Sequence, residues 1–212
     1  MLSENGELGQ LLQRGMTTLG LEPPAGVLEC LLQYVALLDK WNHSYNLTAI
    51  RDPRAMITRH LLDSLAVMPY IEGPQLADVG TGPGLPGIPL ALMRPDFDWV
   101  LIDSNGKKTR FVTQAVAELG LKNVRVLTGR VAEMQLESRC NTVISRAFTD
   151  IAAFIGGAGH LCRDDGQLLA MKAVVVADEL LQLPDGYYAE RIPLQVPDLD
   201  AQRCIIRIVH KH

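Results

Sequence analysis

Apolar residues in the first seventy positions recur at helical spacing, whereas from residue 75 onward they come in short runs. Leu28, Leu31, Leu32, Val35 and Leu38 mark a helix over 27–41. Asp52-Pro53 reads as an N-cap and first helical residue, opening a helix to about residue 68 with Ile57, Leu61, Leu65 and Met68 turned inward. Strands are predicted at 76–79, 98–102, 124–128, 141–145 and 167–172. Helices at about 86–93, 107–119 and 149–161 alternate with them, the second ended by Gly120. Such alternation specifies a parallel sheet with helices on both faces. Two further strand-like stretches, 187–195 and 204–210, are expected to pair as an antiparallel hairpin at one sheet edge. The fold expected is α/β and Rossmann-like: a doubly wound, mostly parallel sheet (residues 71–212) under an N-terminal helical cap (1–70), with no flexible linker between them.

Composition narrows the classes. The 212 residues are 48% apolar and 21% charged, enough for one sizeable core. Cys30, Cys140, Cys162 and Cys204 form no C-x-x-C pair, which argues against a zinc site and fits reduced thiols. The acidic first residues lack a secretory apolar core, and no apolar run approaches the ~20 residues that span a bilayer. A cytoplasmic monomer is therefore expected. Net charge is −4, which counts against coating nucleic acid through a broad basic face and leaves room for a local basic patch.

The most informative stretch is Leu76-Ala-Asp-Val-Gly-Thr-Gly-Pro-Gly-Leu-Pro-Gly87. A strand runs into Gly80, Gly82, Gly84 and Gly87, and a helix follows, so backbone can approach a ligand closely. Positions 82–87 match the G-x-G-x-x-G nucleotide-binding pattern, by itself a weak signal. Asp78 at the strand end separates the readings. A carboxylate about 4 Å from a dinucleotide pyrophosphate is repelled by roughly 1–4 kcal/mol. S-adenosylmethionine instead brings an ammonium group and a sulfonium cation. Asp78 at the mouth of the crevice therefore favours a methyl donor over NAD, and the plain alternative is a turn-forming aspartate.

Ligands in doubly wound sheets bind at the carboxyl ends of the strands. The second strand ends at Asp103, 23 residues after Gly80, where an acid accepts from ribose hydroxyls or caps the next helix. After the third strand, Val131-Ala132 would offer backbone groups to an adenine, or form a surface turn. The fourth ends at Ser145-Arg146-Ala147-Phe148, where Arg146 faces the ligand or its acceptor. Arg59, His60, Lys107, Lys108 and Lys172 are the candidate RNA contacts. An Arg59–Asp63 surface pair is the plain alternative, as is a His60–Asp63 hydrogen bond at the rim. Lys107-Lys108 at a helix start opposes the helix dipole, which fits phosphate contact or a solvated pair. The histidines form no metal-ligand cluster.

Missing residues inform as well. Amine methylation commonly uses an Asn/Asp-Pro-Pro-aromatic run after the fourth strand, and the chain has Ser-Arg-Ala-Phe there. Attack at a pyrimidine C5 needs a thiolate, and no cysteine occupies a suitable loop. A ring nitrogen such as guanine N7 needs neither, and alignment alone is worth up to ~7–11 kcal/mol.

Four motifs occur together and in order: Asn46-Leu-Thr-Ala-Ile-Arg-Asp-Pro53, Arg59-His-Leu-Leu-Asp-Ser-Leu65, the glycine stretch, and Ile144-Ser-Arg-Ala-Phe148. Over nearly the whole chain this resembles the bacterial ribosomal RNA small subunit methyltransferase G (glucose-inhibited division protein B) family. The resemblance implies a class I methyltransferase fold, S-adenosylmethionine as cofactor, and N7 methylation of guanine 527 in the 530 loop of 16S rRNA. It carries donor contacts onto Gly80, Leu85, Val131-Ala132 and Arg146, and matches Asp103 and Lys107-Lys108 to the family's acid and basic pair. Ala132, Asn141 and Ala173 depart from the family's usual glutamate, aspartate and glycine, which leaves only backbone contacts at 132.

Overall fold

The computed structural model describes residues 4–148, 150–173 and 183–211. Helices α1 (Glu4–Thr18) and α2 (Val27–Tyr45) come first. Next follows a composite helix: α3 (Pro53–Met56), a π-helical turn (Ile57–Leu62) and α4 (Asp63–Leu65). Asp52 caps α3 through both carboxylate oxygens, on the amides of Arg54 and Ala55, and Pro53 sits at the first turn. The single α-helix predicted from residue 53 to about 68 is thus interrupted. In the π turn the Asp63 amide reaches back to the Thr58 carbonyl, five residues earlier. Ile57, Leu61, Leu62 and Leu65 are fully buried, while Met68 is only half-buried.

The alternating half follows as β1 (Gln75–Val79), α5 (Gly87–Met93), β2 (Asp98–Asp103), α6 (Gly106–Glu118), β3 (Val124–Thr128) and β4 (Cys140–Ser145). It continues with α7 (Ile151–Ala158), β5 (Cys162–Lys172), β6 (Tyr187–Leu194) and β7 (Arg203–His210). The sheet order is β3-β2-β1-β4-β5-β7-β6, parallel from β3 to β5 and antiparallel at β7 and β6. The predicted hairpin exists, with β7 as its inner strand. Strand β5 starts five residues earlier than its apolar run, because the exposed Arg163-Asp164-Asp165 stretch extends the backbone without burial. The predicted helix at 149–161 begins at Ile151 on an Asp150 cap; Thr149 lies outside the described residues.

Both sheet faces are buried, as a parallel sheet requires. Leu76, Leu101, Ile144 and Leu169 join one core with α1, α2, α5 and α6. Val79, Ile102, Val143 and Leu168 join the other with α7. Asn141, where the resembled family favours aspartate, accepts the Gln75 amide and ties the start of β4 to β1. No helix among the described residues is long and apolar enough to cross a membrane.

Candidate active site

At the carboxyl end of β1 the chain turns through Gly80, Gly82 and Gly84, all at positive φ (68°, 60° and 97°). The amides of Gly80 and Thr81 donate to the Ile102 carbonyl, lashing the loop to β2. A Cβ at Gly80 would lie 2.5 Å from that of Ala147, so the absent side chain lets the β4 loop close over this one. Ser145 builds that approach: its hydroxyl donates to the Val79 carbonyl at 2.7 Å and accepts from the Ala147 amide at 3.0 Å.

Asp78 is fully buried beneath the loop and does not line the pocket. Its Oδ2 accepts from Thr81 Oγ1 at 2.6 Å and from the Gly87 amide at 2.8 Å. The expectation of a carboxylate at the crevice mouth is corrected. Asp78 shares its strand face with Leu76, and that face is covered by the helices of the first core. Burial lifts its pKa to about 6, against the opposing pull of those two hydrogen bonds. Its Oδ1 has no hydrogen-bond partner among the described residues. Its charge therefore acts on the pocket from beneath the loop amides, not by contact with a ligand.

Above the loop lies a pocket of about 280 Å³. The expected donor contacts Gly80, Asp103 and Val131 line it, together with Ser104, Gly129, Ala147, Phe148 and Lys108, the last expected at RNA. Asp103 accepts from the Gly82 amide and the Asn105 amide, both at 2.8 Å. It therefore braces two loops, and its remaining lone pairs stay available for hydroxyl donors. The cap of α6 is Asn105, whose side chain accepts from the amides of Lys107 and Lys108. Gly82, Gly84, Leu85, Ala132 and Arg146, expected as donor contacts, do not line this pocket, and Arg146 lines a second pocket instead; Lys107, expected at RNA, lines neither. Leu85 is buried, and the Gly84 and Leu85 amides both donate to the Thr81 carbonyl, so these residues shape the turn.

The second pocket, of about 280 Å³, brings together Arg59, His60, Arg146 and Lys172 with Asp63, Arg203 and Cys204. Asp63 bridges two guanidiniums: Oδ2 lies 3.3 Å from Arg146 Nη1 and Oδ1 lies 2.8 Å from Arg203 Nε. Neither expected Asp63 pairing forms, with Arg59 or with His60. The π turn spans one residue more than an α turn and removes the i,i+4 alignment. His60 Nδ1 meets the Arg59 carbonyl at 3.1 Å, so it carries the proton, and Nε2 accepts from Thr48 Oγ1 at 2.9 Å. Burial, helped by the Arg146 charge, depresses its pKa to about 4. The imidazole is thus neutral, with both nitrogens engaged, and anchors the 46–50 loop.

Sequence reasoning missed Arg203 and Tyr34. Arg203 arrives from β7, whose antiparallel register sets Cys204 opposite Lys172 and so puts its first residue at the end of the sheet where parallel strands finish. Cys204, read from the sequence only as one of four unpaired thiols, also reaches the second pocket. It is buried, and its thiol reaches the Lys172 carbonyl at 3.7 Å. Tyr34 of α2 donates its hydroxyl to the Pro83 carbonyl at 2.8 Å, tying the N-terminal helices to the glycine loop.

Solved structures with this fold include a ribosomal protein L11 methylase from Lactobacillus delbrueckii subsp. bulgaricus (TM-score 0.55, 14% identical, covering 71% of this chain and 77% of that one). Another is TYW2 of M. jannaschii in complex with AdoMet (TM-score 0.54, 15% identical, covering 71% and 76%). The protein of Nitrosospira multiformis named ribosomal RNA small subunit methyltransferase G is 49% identical over 92% of this chain and 94% of its own length. Its namesake in Chromobacterium violaceum is 47% identical over 93% and 96%. The family model of rRNA small subunit methyltransferase G, GidB, matches residues 27–206, and the chain belongs to that family.

Proposed function

We propose that this methyltransferase acts on N7 of a guanine in 16S rRNA, guanine 527 of the 530 loop, with S-adenosylmethionine as donor. When bound, S-adenosylmethionine supplies an electrophilic methyl group on a sulfonium. Gly80 and the neighbouring amides would receive its amino-acid end over the buried Asp78 carboxylate. Asp103 would accept from the ribose, and the backbone at Val131-Ala132 would edge the adenine. Across residues 146–148, the second pocket would take the acceptor nucleotide. There Arg146 and Arg203, aimed by Asp63, are placed to orient the base, with Arg59 and Lys172 beside its phosphates. The N-terminal segment contributes Ile50, Arg59, His60 and Asp63 to the second pocket.

The observation that carries this reading is the pairing of two pockets around one loop without a free general base. His60 is neutral with both nitrogens engaged, and Cys204 is buried against a carbonyl. Guanine N7 presents a lone pair and loses no proton before attack, so alignment is the contribution required. The confined basic lining reconciles an overall charge of −4 with an RNA substrate. Cytoplasmic action as a monomer fits this reading.

Tritium transfer from labelled donor to unmodified small-subunit RNA, naked and in particles, tests it. Label recovered as 7-methylguanosine supports the assignment. Label on another nucleoside overturns the N7 step, and none on any small-subunit RNA overturns the substrate.

A further inference from the structure

Only two large hydrophobic side chains among the described residues are exposed, Tyr45 and Tyr188. Tyr188 lies on the edge strand β6, at the end opposite Leu194, which lines the second pocket. Tyr45 closes α2, 39% exposed, with its ring stacked on Trp41 at 5.2 Å and an interplanar angle of 27°. Trp41 rests in turn on the buried Phe111 of α6, ring centroids 5.7 Å apart. A tyrosine at a helix end is usually packed down or left alone in solvent; this one is supported from beneath by two further rings.

Its position follows from the run of the two helices. Gln33 reaches the Glu118 carbonyl and Trp41 meets Phe111, so α2 and α6 are antiparallel. Continued one turn beyond Trp41, the antiparallel run carries Tyr45 toward the end of α6 where exposed Lys107 stands, next to Ser104 and Lys108 of the donor pocket. Asn46, left-handed at φ 49°, turns the chain there, and its Oδ1 accepts from exposed Arg51 at 2.9 Å. The same segment runs on to Thr48 and Ile50, at the second pocket. Of the acids nearby, Asp39 lies 3.9 Å from His43 and Asp52 caps α3. An aromatic face between cations is what single-stranded nucleic acid seeks, stacking for its bases and charge for its backbone.

We propose that Tyr45, backed by Trp41, is a stacking platform for an unpaired base flanking the target nucleotide, with Lys107 and Arg51 on the adjoining phosphates. This rests on the RNA substrate proposed above. A platform at the rim would hold the strand while the target base turns into the second pocket.

The test compares Tyr45→Ala and Tyr45→Phe with the parent chain, and Tyr188→Ala as a distant control. Tyr45→Ala is expected to raise KM for small-subunit RNA about tenfold, within the range known for one stacked base. Affinity for a short fluorescent oligoadenylate should weaken in parallel, while S-adenosylhomocysteine affinity and melting temperature hold. Tyr45→Phe keeps the ring and should restore both RNA readouts; Tyr188→Ala should change neither. An unchanged KM and oligoadenylate affinity in Tyr45→Ala overturns the platform. So does Tyr45→Phe failing like Tyr45→Ala, which would assign the effect to the hydroxyl. If the parent chain labels no small-subunit RNA, the substrate reading fails instead, and oligoadenylate binding still decides the platform.

Discussion

The Tyr34 hydroxyl donates to the Pro83 carbonyl at 2.8 Å, and this bond joins the middle of α2 to the tip of the glycine loop. The tyrosine is fully buried, with its ring 6.2 Å from Phe111, so it sits where the N-terminal helices, α6 and the loop meet. Removing only the hydroxyl leaves a loop carbonyl without its donor. Tyr34→Phe should cost about 1 kcal/mol of stability. It should also weaken S-adenosylhomocysteine binding by roughly fivefold, the same 1 kcal/mol expressed as affinity. Isothermal titration beside thermal unfolding measures both, and a stability loss with unchanged affinity would separate the cap from the donor site.

The glycines of the loop should not be equivalent. At Gly80 an added Cβ meets that of Ala147 at 2.5 Å, whereas at Gly82 the nearest atom is 4.0 Å away. Both have positive φ, so each alanine costs about 1–2 kcal/mol of backbone strain. Only Gly80→Ala also forces the β4 loop outward. Gly82→Ala should keep donor binding within about tenfold, and Gly80→Ala should abolish it in the same titration.

Asp63 carries two guanidiniums on one carboxylate. Asp63→Asn leaves Arg146 and Arg203 half-buried without their counter-charge, at a cost of about 1–3 kcal/mol after allowing for partial solvation. The pocket becomes more positive, so RNA should bind at least as tightly at low salt, with a steeper salt dependence. Aim is lost nonetheless, and kcat should fall tenfold or more. Single-turnover kinetics with RNA titrations resolves the two. A fall in affinity with kcat intact would contradict the orienting role.

Asp78 and His60 should oppose one another as pH changes. The folded Asp78 pKa, about 6, lies above its ordinary 3.8, so the native state holds the extra proton between these values. Its contribution to stability therefore falls as pH rises from about 4 to 6. The folded His60 pKa, about 4, lies below its ordinary 6.5, so the unfolded chain holds the extra proton. Its contribution rises over nearly the same window. Each shift corresponds to roughly 3 kcal/mol, and the two nearly cancel. Asp78→Asn should gain stability from pH 4 to 6, and His60→Gln should lose it. Urea unfolding across that window reads both slopes.

Much of this site was legible because strands end where their apolar runs end. Gly80, Asp103, Val131 and Arg146 follow such ends, and the structure gathers all four around the β4 loop. Asp78 was misplaced although alternation held the answer: it shares a face with Leu76, and that face is roofed by helices. The π turn was invisible, since a composite helix and a continuous one bury the same Ile57, Leu61 and Leu65. Its effect is large, redirecting Asp63 from helix neighbours to Arg146 and Arg203. Arg203 was out of reach for another reason. Its place depends on β7 and not β6 pairing with β5, an order within the predicted hairpin that the apolar pattern does not fix, and on β7 starting one residue before its predicted strand.

Arg146 lines one pocket and Ala147 the other, so a single peptide unit separates the two linings. Side chains on successive residues diverge, and in the proposed reaction that divergence would stand between methyl donor and acceptor. Lengthening the chain by one residue after Ser145 would leave every side chain of the site in place in the sequence and yet exchange their partners. In the proposed reaction, the spacing of this short segment, more than the identity of any one of its residues, would set the reach between the two pockets.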